Sequence, residues 1–402
     1  MKKSTFLLVI VLVIAVLLGC GGKDASGKGG TGRGSQTFKM KFASCQTNNY
    51  ALIEQDKVWI SYVKELLPGE IEIEHYPAGE LIKQNEVFDA VAEGTIQLGG
   101  DFPGYWAGKD SAFNLVSSFP MFLDCYDYIN WLEFGGGQEE YDRVYGAFGI
   151  VPLPHGPITV ESGPRTNKPI RSLADYKGLK LRMSGKAQGN VLKKIEAAQV
   201  SIASAEVYQG LQKGLLDAAE SCTPFLDWGL GYGEVTKYAG HPGWHQPGSM
   251  CNVLVNKKLW DSLPPHMKSA FKIAAKATIA WTLAFEDYTS AWGTNLFAGM
   301  GVKPTLLSEA DLKKLAEYSY EQLYAESAAN PSFARMALSM AEYVHYYSVW
   351  KPYAYPFGHG WKDAPLPDLN KIRPYVKGDY TPAGTRYVEA YLDKSGSAAA
   401  RK

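Results

Sequence analysis

Arg182 stands in the segment Gly178-Leu179-Lys180-Leu181-Arg182-Met183, a short run whose length and apolar content predict a strand. Leu181 and Met183 flank it, so the guanidinium is expected beside a core. A guanidinium out of water needs an anion, and its planar fork suits bidentate pairing with a carboxylate. That carboxylate is either an Asp or Glu of this chain or one carried by a ligand. Other chemistries find less in the sequence. No G-x-S-x-G elbow and no H-E-x-x-H helix occurs. His241 and His245 have the spacing of a metal pair on a helix, but Pro242 and Gly243 between them break any helix. The run from Gly22 to Gly27-Lys28 imitates a phosphate-binding loop, yet Gly29 stands where a Ser or Thr would ligate magnesium and no strand precedes it. Gly135-Gly136-Gly137 lacks the strand and helix that a dinucleotide fingerprint requires, and reads as a loop.

The elements that must position Arg182 repeat a simple scheme. Phe38 to Ala43 reads as a strand, Ile53 to Leu67 as a helix ended by Pro68-Gly69, and Ile71 to Glu74 as a second strand. A helix from about Lys83 to Glu93 stops at Gly94, and Thr95 to Gly99 reads as a third strand. The scheme recurs around Arg182: strand Gly178–Met183, helix Asn190–Ala197, strand Val200–Ile202. A helix opening at Ser204 then puts Val207, Leu211 and Leu215 on one face, before a strand from Leu216 to Cys222. Two α/β units, with no tandem repeat between them, predict two lobes with a cleft between. Beyond Pro264-Pro265 a proline-free, Ala- and Lys-rich run to about Leu296 predicts one long helix. Another runs from Ser308 to Asn330, and Pro331 begins a third.

The 41 basic and 41 acidic residues cancel, and no basic stripe occurs, which argues against nucleic acid as a partner. The chain opens Met1-Lys2-Lys3, turns apolar from Phe6 to Leu18 and reaches Leu17-Leu18-Gly19-Cys20. That is the pattern of a signal peptide, too short to span a bilayer. Cys20 is expected to become the lipidated N-terminus, the alternative being an ordinary secretory signal that happens to carry a Cys. Gly21 to Gln36 has almost nothing to bury and is expected to be a flexible tether. Export permits disulfides among Cys45, Cys125, Cys222 and Cys251, but spacing does not say whether they form or in which pairing. From Thr37 onward the chain exceeds what one core usually supports, so two domains are expected.

Three segments carry a family resemblance. Lys177-Gly178-Leu179-Lys180-Leu181-Arg182, Ser204-Ala205-Glu206-Val207-Tyr208 and Gly214-Leu215-Leu216-Asp217-Ala218-Ala219-Glu220 resemble, in order and spacing, the central signature of the extracytoplasmic solute receptors of tripartite ATP-independent periplasmic (TRAP) transporters, the DctP-like proteins. Tyr76-Pro77-Ala78-Gly79-Glu80-Leu81, Gly94 to Gly99 and Lys237 to Trp244 extend it, over about Phe38 to Met340. The resemblance implies a two-lobe α/β binding protein with a hinge and an interdomain ligand cleft. It implies that Arg182 clamps the ligand's carboxylate, so that Arg182→Ala abolishes binding and spares the fold. The Asp-Ala-Ala-Glu and Pro-Gly-Trp patterns look most like the branch that binds 2-oxo and 2-hydroxy monocarboxylates such as pyruvate and lactate through a bridging cation. The positions matching that branch's cation ligands are Glu161, Glu220 and Gln246, with Ser221 beside Glu220, and their oxygens suit Ca²⁺ or Na⁺. Glu161 read without the resemblance is a solvated loop acid. Tyr105 and Trp106, in Gly104-Tyr105-Trp106-Ala107-Gly108-Lys109, are expected as cleft walls or, equally, as core.

The expected organisation is a signal peptide over residues 1–19, a lipid-anchored linker over 20–37, a first lobe of 38–161 with about 249–290, a second of 162–248 with about 291–350, and a C-terminal arm over 351–402. The partners implied are a small carboxylate, the TRAP membrane subunits, the membrane through the lipid and, through the arm, a second copy, at the periplasmic or outer face of the cell membrane. No catalysis is expected. The rival readings are an exported hydrolase, which would consume its ligand, and a receptor serving another importer or a sensor.

Overall fold

The computed structural model describes residues 37–354 except positions 49, 201 and 203. Cys20, the expected signal peptide and tether, and the arm beyond Ala354 lie outside the described residues. The chain starts with β1 (Phe38–Ser44), α1 (Ile53–Leu66), β2 (Ile71–Tyr76), α2 (Val87–Glu93) and β3 (Leu98–Gly100). Three helices, α3 (Phe113–Ser117), α4 (Cys125–Phe134) and α5 (Gly137–Gly146), precede β4 (Ile150–Ile158). Next come β5 (Arg165–Thr166), β6 (Lys180–Arg182), α6 (Lys186–Lys194), β7 (Ala198–Val200), α7 (Ser204–Gln212) and β8 (Ala218–Ala219). After α8 (Pro224–Gly229), α9 (Tyr232–Val235) and β9 (Tyr238–His241), the chain runs through β10 (Ser249–Asn256), α10 (Lys257–Ser262) and α11 (Pro265–Gly299). The described chain ends with β11 (Lys303–Leu306), α12 (Glu309–Ala329), α13 (Pro331–Ser348) and the turn α14 (Lys351–Ala354).

These strands form two sheets, in the order β2-β1-β3-β10-β4 and β11-β9-β5-β8-β6-β7. Within the first, β1 pairs in parallel with both β2 and β3, while β10 runs antiparallel to β3 and β4. Within the second, β6 lies in parallel between β7 and β8, which sets Arg182 level with Ala219 and Val200. Parallel neighbours need crossover helices, and α1, α6 and α7 serve as such. The chain passes between the sheets from β4 to β5, from β9 to β10 and along α11 to β11. Those passages are where residues of both lobes meet.

At 35 residues α11 is about 52 Å long, enough to run along both sheets. Met267, Phe271, Ala274 and Ala275 near its start pack with Trp59, Leu153 and Val253 of the first lobe. Phe285 and Phe297 further along pack with Phe225 and Trp228 of the second. Pro265 sits in its first turn, where a missing N–H costs nothing.

Several elements differ from expectation. β3 begins at Leu98 rather than Thr95, and the expected strand from Leu216 to Cys222 is only Ala218–Ala219. The expected helix Asn190–Ala197 begins earlier, at Lys186, and ends at Lys194, so that the strand after it is Ala198–Val200 rather than Val200–Ile202. α7 stops at Gln212, which leaves Leu215 outside the helix and 66% exposed, while Val207 and Leu211 are buried as expected. The largest difference concerns α13, expected with the second lobe. Its Phe333, Met336, Ala337, Met340 and Tyr343 are buried with Trp131, Tyr141 and Tyr145 of α4 and α5, on the first lobe's side. Cys45, Cys125, Cys222 and Cys251 are all free and buried.

Candidate functional site

Glu161 lies in the passage from β4 to β5, and His245 and Gln246 in the passage from β9 to β10. Arg182 ends β6, and Glu220 follows the last residue of β8. Because β6 and β8 are parallel, Arg182 and Glu220 emerge together at the carboxyl edge of the second sheet, where open α/β sheets place their ligands. The loop carrying His245 comes close to Glu161 because Gly243 has no side chain: a Cβ there would collide with the Glu161 carbonyl oxygen.

The four charged groups form one buried array. Arg182 donates from Nη1 to the main-chain oxygen of Glu220 at 2.6 Å and to its carboxylate Oε1 at 3.1 Å. The same Oε1 accepts from the Ser184 N–H at 2.7 Å. His245 Nε2 lies 3.0 Å from Glu161 Oε2 and 3.4 Å from Glu220 Oε2. Gln246 donates from its amide to Glu161 Oε1 at 2.6 Å. Glu161, Glu220 and His245 are 4%, 0% and 1% exposed, which makes each charge expensive unless it is paired.

The ionisation of the array follows from its geometry. Burial works to raise the Glu220 carboxyl, but the Arg182 guanidinium, the His245 ring and the Ser184 N–H together hold it down at about 2. Burial also works to lower His245, and is outweighed by the two carboxylates, which push the imidazole up to about 9. His245 is therefore an imidazolium at neutral pH, a positive charge set between Glu161 and Glu220. Burial pushes the Glu161 carboxyl upward against the hydrogen bond from His245.

One ligand atom each from Glu161, Glu220 and His245 fall within 4.8 Å of one another, close enough to share an ion. Glu220 Oε2 and His245 Nδ1 are buried with no hydrogen bond among the described residues. Glu220 Oε2 has only the His245 ring near it among the described residues, at 3.4 Å, and lies beside the second carboxylate of Glu161; carboxylate oxygens so placed are ligands that a hard cation takes.

Beside the array lies a cavity of about 610 Å³. Arg182, Glu161, Gln246, Ser184 and Ser221 line it from the second sheet and the passages, and Gln46, Tyr50, Gln84 and Tyr105 from the first lobe. The sequence-selected residues thus separate: Arg182, Glu161, Glu220 and Gln246 come together, and Ser221 and Tyr105 stand on the cavity wall. Trp106 does not. It is 2% exposed, its indole donates to Asp101 at 3.2 Å, and it packs against Phe88 in the first lobe's core. In the helical turn after β3 adjacent side chains diverge, so Tyr105 faces the cleft and its neighbour the interior. The sequence pairs His245 only with His241, by spacing, and His241 is not among the groups of this cluster. Its position beside Gln246 was the available signal. Tyr50 carried none.

The chain matches bacterial extracellular solute-binding protein family 7, DctP, over residues 42–330. It is 30% identical, over 72% of its length and 77% of the relative's, to a monocarboxylate 2-oxoacid-binding periplasmic protein of Nostoc. A TRAP periplasmic solute binding protein of Colwellia psychrerythraea, solved with bound calcium and pyruvate, superimposes with a TM-score of 0.74 at 27% identity, covering 79% of this chain and 98% of that one. Another, from Bordetella bronchiseptica, was solved as a mixed-occupancy dimer with copurified calcium and picolinate in one site; it gives a TM-score of 0.74 at 25% identity, covering 85% and 97%. No helix among the described residues is long and apolar enough to cross a membrane. The match spans most of the chain, including both lobes and every residue of the array: the chain belongs to family 7 of the bacterial extracellular solute-binding proteins, the DctP family of TRAP solute receptors, which bind small carboxylates rather than transform them.

Proposed function

We propose that this receptor captures a 2-oxo or 2-hydroxy monocarboxylate, with Arg182 taking the carboxylate and a cation held by Glu161, Glu220 and Gln246 taking the neighbouring oxygen. The observation that carries this reading is the buried array itself, two carboxylates and an imidazolium set against Arg182 on the wall of a cleft between two lobes. In the cation-free protein the His245 proton supplies the positive charge that Glu161 and Glu220 require. A calcium or sodium ion would take over that role and add an electrophilic partner for the ligand's oxygen, supplying no covalent chemistry. Ligand and cation bound together favour the closed lobes, since only there do groups from both lobes reach the ligand.

On this reading the chain is exported under its signal peptide, held to the membrane by a lipid on Cys20 and the tether, and recognised in its closed form by the membrane subunits of a TRAP transporter. The C-terminal arm beyond Lys351 serves a lobe contact or a second copy. The test is thermal unfolding of the domain from Thr37 with small carboxylates, in calcium, in sodium and after chelation. Ligand at about a hundred times its dissociation constant adds roughly 2.7 kcal/mol of stability. A shift with pyruvate or lactate that requires the cation supports the reading. A shift indifferent to chelation removes the cation, and no shift with any carboxylate removes the receptor assignment of this cleft. Recovery of the ligand unchanged after long incubation separates a receptor from a hydrolase.

A further inference from the structure

A second buried ion pair stands next to the array and has no part in the function proposed above. Arg165 Nε donates to Asp227 Oδ2 at 2.9 Å, and the two residues are 1% and 0% exposed. The guanidinium lies over the Phe297 ring of α11, 3.8 Å from its centre. Neither residue lines the cavity, so neither meets the ligand. A salt bridge taken out of water in this way adds little to stability, since apolar groups of similar volume often serve as well or better. Its use lies in what it holds.

Asp227 holds two segments at once. Its Oδ1 accepts the Cys222 N–H at 3.1 Å, two residues after Glu220, and its Oδ2 accepts the Ser162 hydroxyl at 2.9 Å, one residue after Glu161. Ser162 also accepts from Arg165 Nη2 at 2.9 Å, and its main-chain N–H donates to the Cys222 carbonyl at 3.3 Å. One carboxylate thereby sets the separation of the two segments that carry Glu161 and Glu220. Arg165 brings in a third. In β5 it pairs antiparallel with Ala219, the residue before Glu220, and with Ala239 of β9, the strand that leads to His245 and Gln246.

That separation decides what the array can hold. Calcium takes oxygen ligands at about 2.3–2.6 Å, so two carboxylates share one ion only where their ligand atoms stand within about 5 Å of each other. The atoms offered by Glu161, Glu220 and His245 meet that condition, all lying within 4.8 Å. Resting on the function proposed above and deepening it, we infer that Arg165, Asp227 and Ser162 are positioning residues of the cation site: they fix the distance between the Glu161 and Glu220 segments, and with it the size of ion that the two carboxylates share. None of the three lines the cavity, and each acts through its neighbours in the chain.

The experiment is calorimetric titration of the intact chain with calcium and with barium, a larger ion of the same charge, alongside urea denaturation without either. Two variants are compared with the parent. Ser162→Ala removes the tie between Asp227 and the Glu161 segment and leaves the ion pair in place; Arg165→Met combined with Asp227→Ala removes both charges together, so that neither is stranded. Calcium binding is expected to weaken about tenfold in the first and up to about a hundredfold in the second, and calcium's advantage over barium is expected to shrink in both. A variant less stable in urea that binds calcium as tightly and as selectively as the parent overturns the inference and leaves the pair as packing alone. Equal losses for calcium and barium, with selectivity unchanged, overturn it as well. Failure of the parent itself to bind either ion, with or without pyruvate, overturns the proposed cation role and this inference with it.

Discussion

Replacing Arg182 by Ala tests two consequences of one geometry. Its Nη1 reaches the main-chain oxygen of Glu220 at 2.6 Å and the carboxylate at 3.1 Å, so the substitution removes the partner of a carboxylate that is fully buried and, on the proposed function, the group that takes the ligand's carboxylate. Removing one member of a buried pair costs about 3–5 kcal/mol, because the remaining charge is stranded. Here the cost falls near the lower end, about 3 kcal/mol, since Glu220 keeps the Ser184 N–H at 2.7 Å and the His245 ring at 3.4 Å. The sequence alone suggested that Arg182→Ala would spare the fold; the structure revises that to a folded but destabilised protein. Arg182→Lys keeps the charge and loses the planar fork, and is expected to recover part of the stability and little of the binding. Pairing Arg182→Met with Glu220→Gln removes both charges and is expected to recover most of the stability and none of the binding. Stability is read from urea denaturation without ligand, and binding from titration calorimetry with pyruvate in calcium, where the loss is about a hundredfold or more. Unchanged stability in Arg182→Ala would show that Glu220 does not depend on the guanidinium, and affinity within a few-fold of the parent would show that the ligand's carboxylate binds elsewhere.

The His245 imidazole is raised from its ordinary 6.5 to about 9, so its stabilising charge is present in full below about 6.5 and lost as pH rises through about 9. The cation-free protein is expected to lose up to roughly 3 kcal/mol over that window, and His245→Gln to flatten the slope in pH-dependent denaturation; an unchanged slope would place the titration elsewhere. Calcium, which takes over the same charge, is expected to bind more tightly as pH rises through the window, as calorimetry at successive pH values would show. Gly243→Ala is expected to push Glu161 out of the array and weaken the dependence of ligand binding on calcium, because the added Cβ meets the Glu161 carbonyl oxygen. Trp106→Phe, which breaks the indole bond to Asp101 at 3.2 Å, is expected to cost about 1–2 kcal/mol of stability and leave ligand affinity alone, as denaturation and titration together would show.

What the sequence made legible depended on periodicity and local spacing. Arg182 was readable because Leu181 and Met183 declare a strand beside a core, and α11 because its proline-free run follows a proline that suits a first turn. The array as a whole was not readable from periodicity, since Glu161, His245 and Gln246 sit in passages between sheets that no repeat describes. The family resemblance supplied Glu161, Glu220 and Gln246 as expectations, and tertiary structure added His245 between the two carboxylates. The same limit explains α13. An amphipathic helix declares that one face is buried, but whether Phe333 and Met340 meet the first lobe or the second depends on the path of the preceding chain. Tyr105 and Trp106 show it at the smallest scale, two adjacent aromatics whose opposite fates are set by one turn of backbone.

A cation held between Glu161 and Glu220 that binds the ligand together with Arg182 is put to the test by titrating pyruvate into the parent domain and into the Glu161→Gln, Glu220→Gln double variant, each with calcium and after exhaustive chelation. The parent is expected to bind tightly in calcium and to lose about a hundredfold or more on chelation, and the double variant to bind weakly with or without calcium. Equal affinity of the parent with and without calcium, sodium being absent, would contradict it.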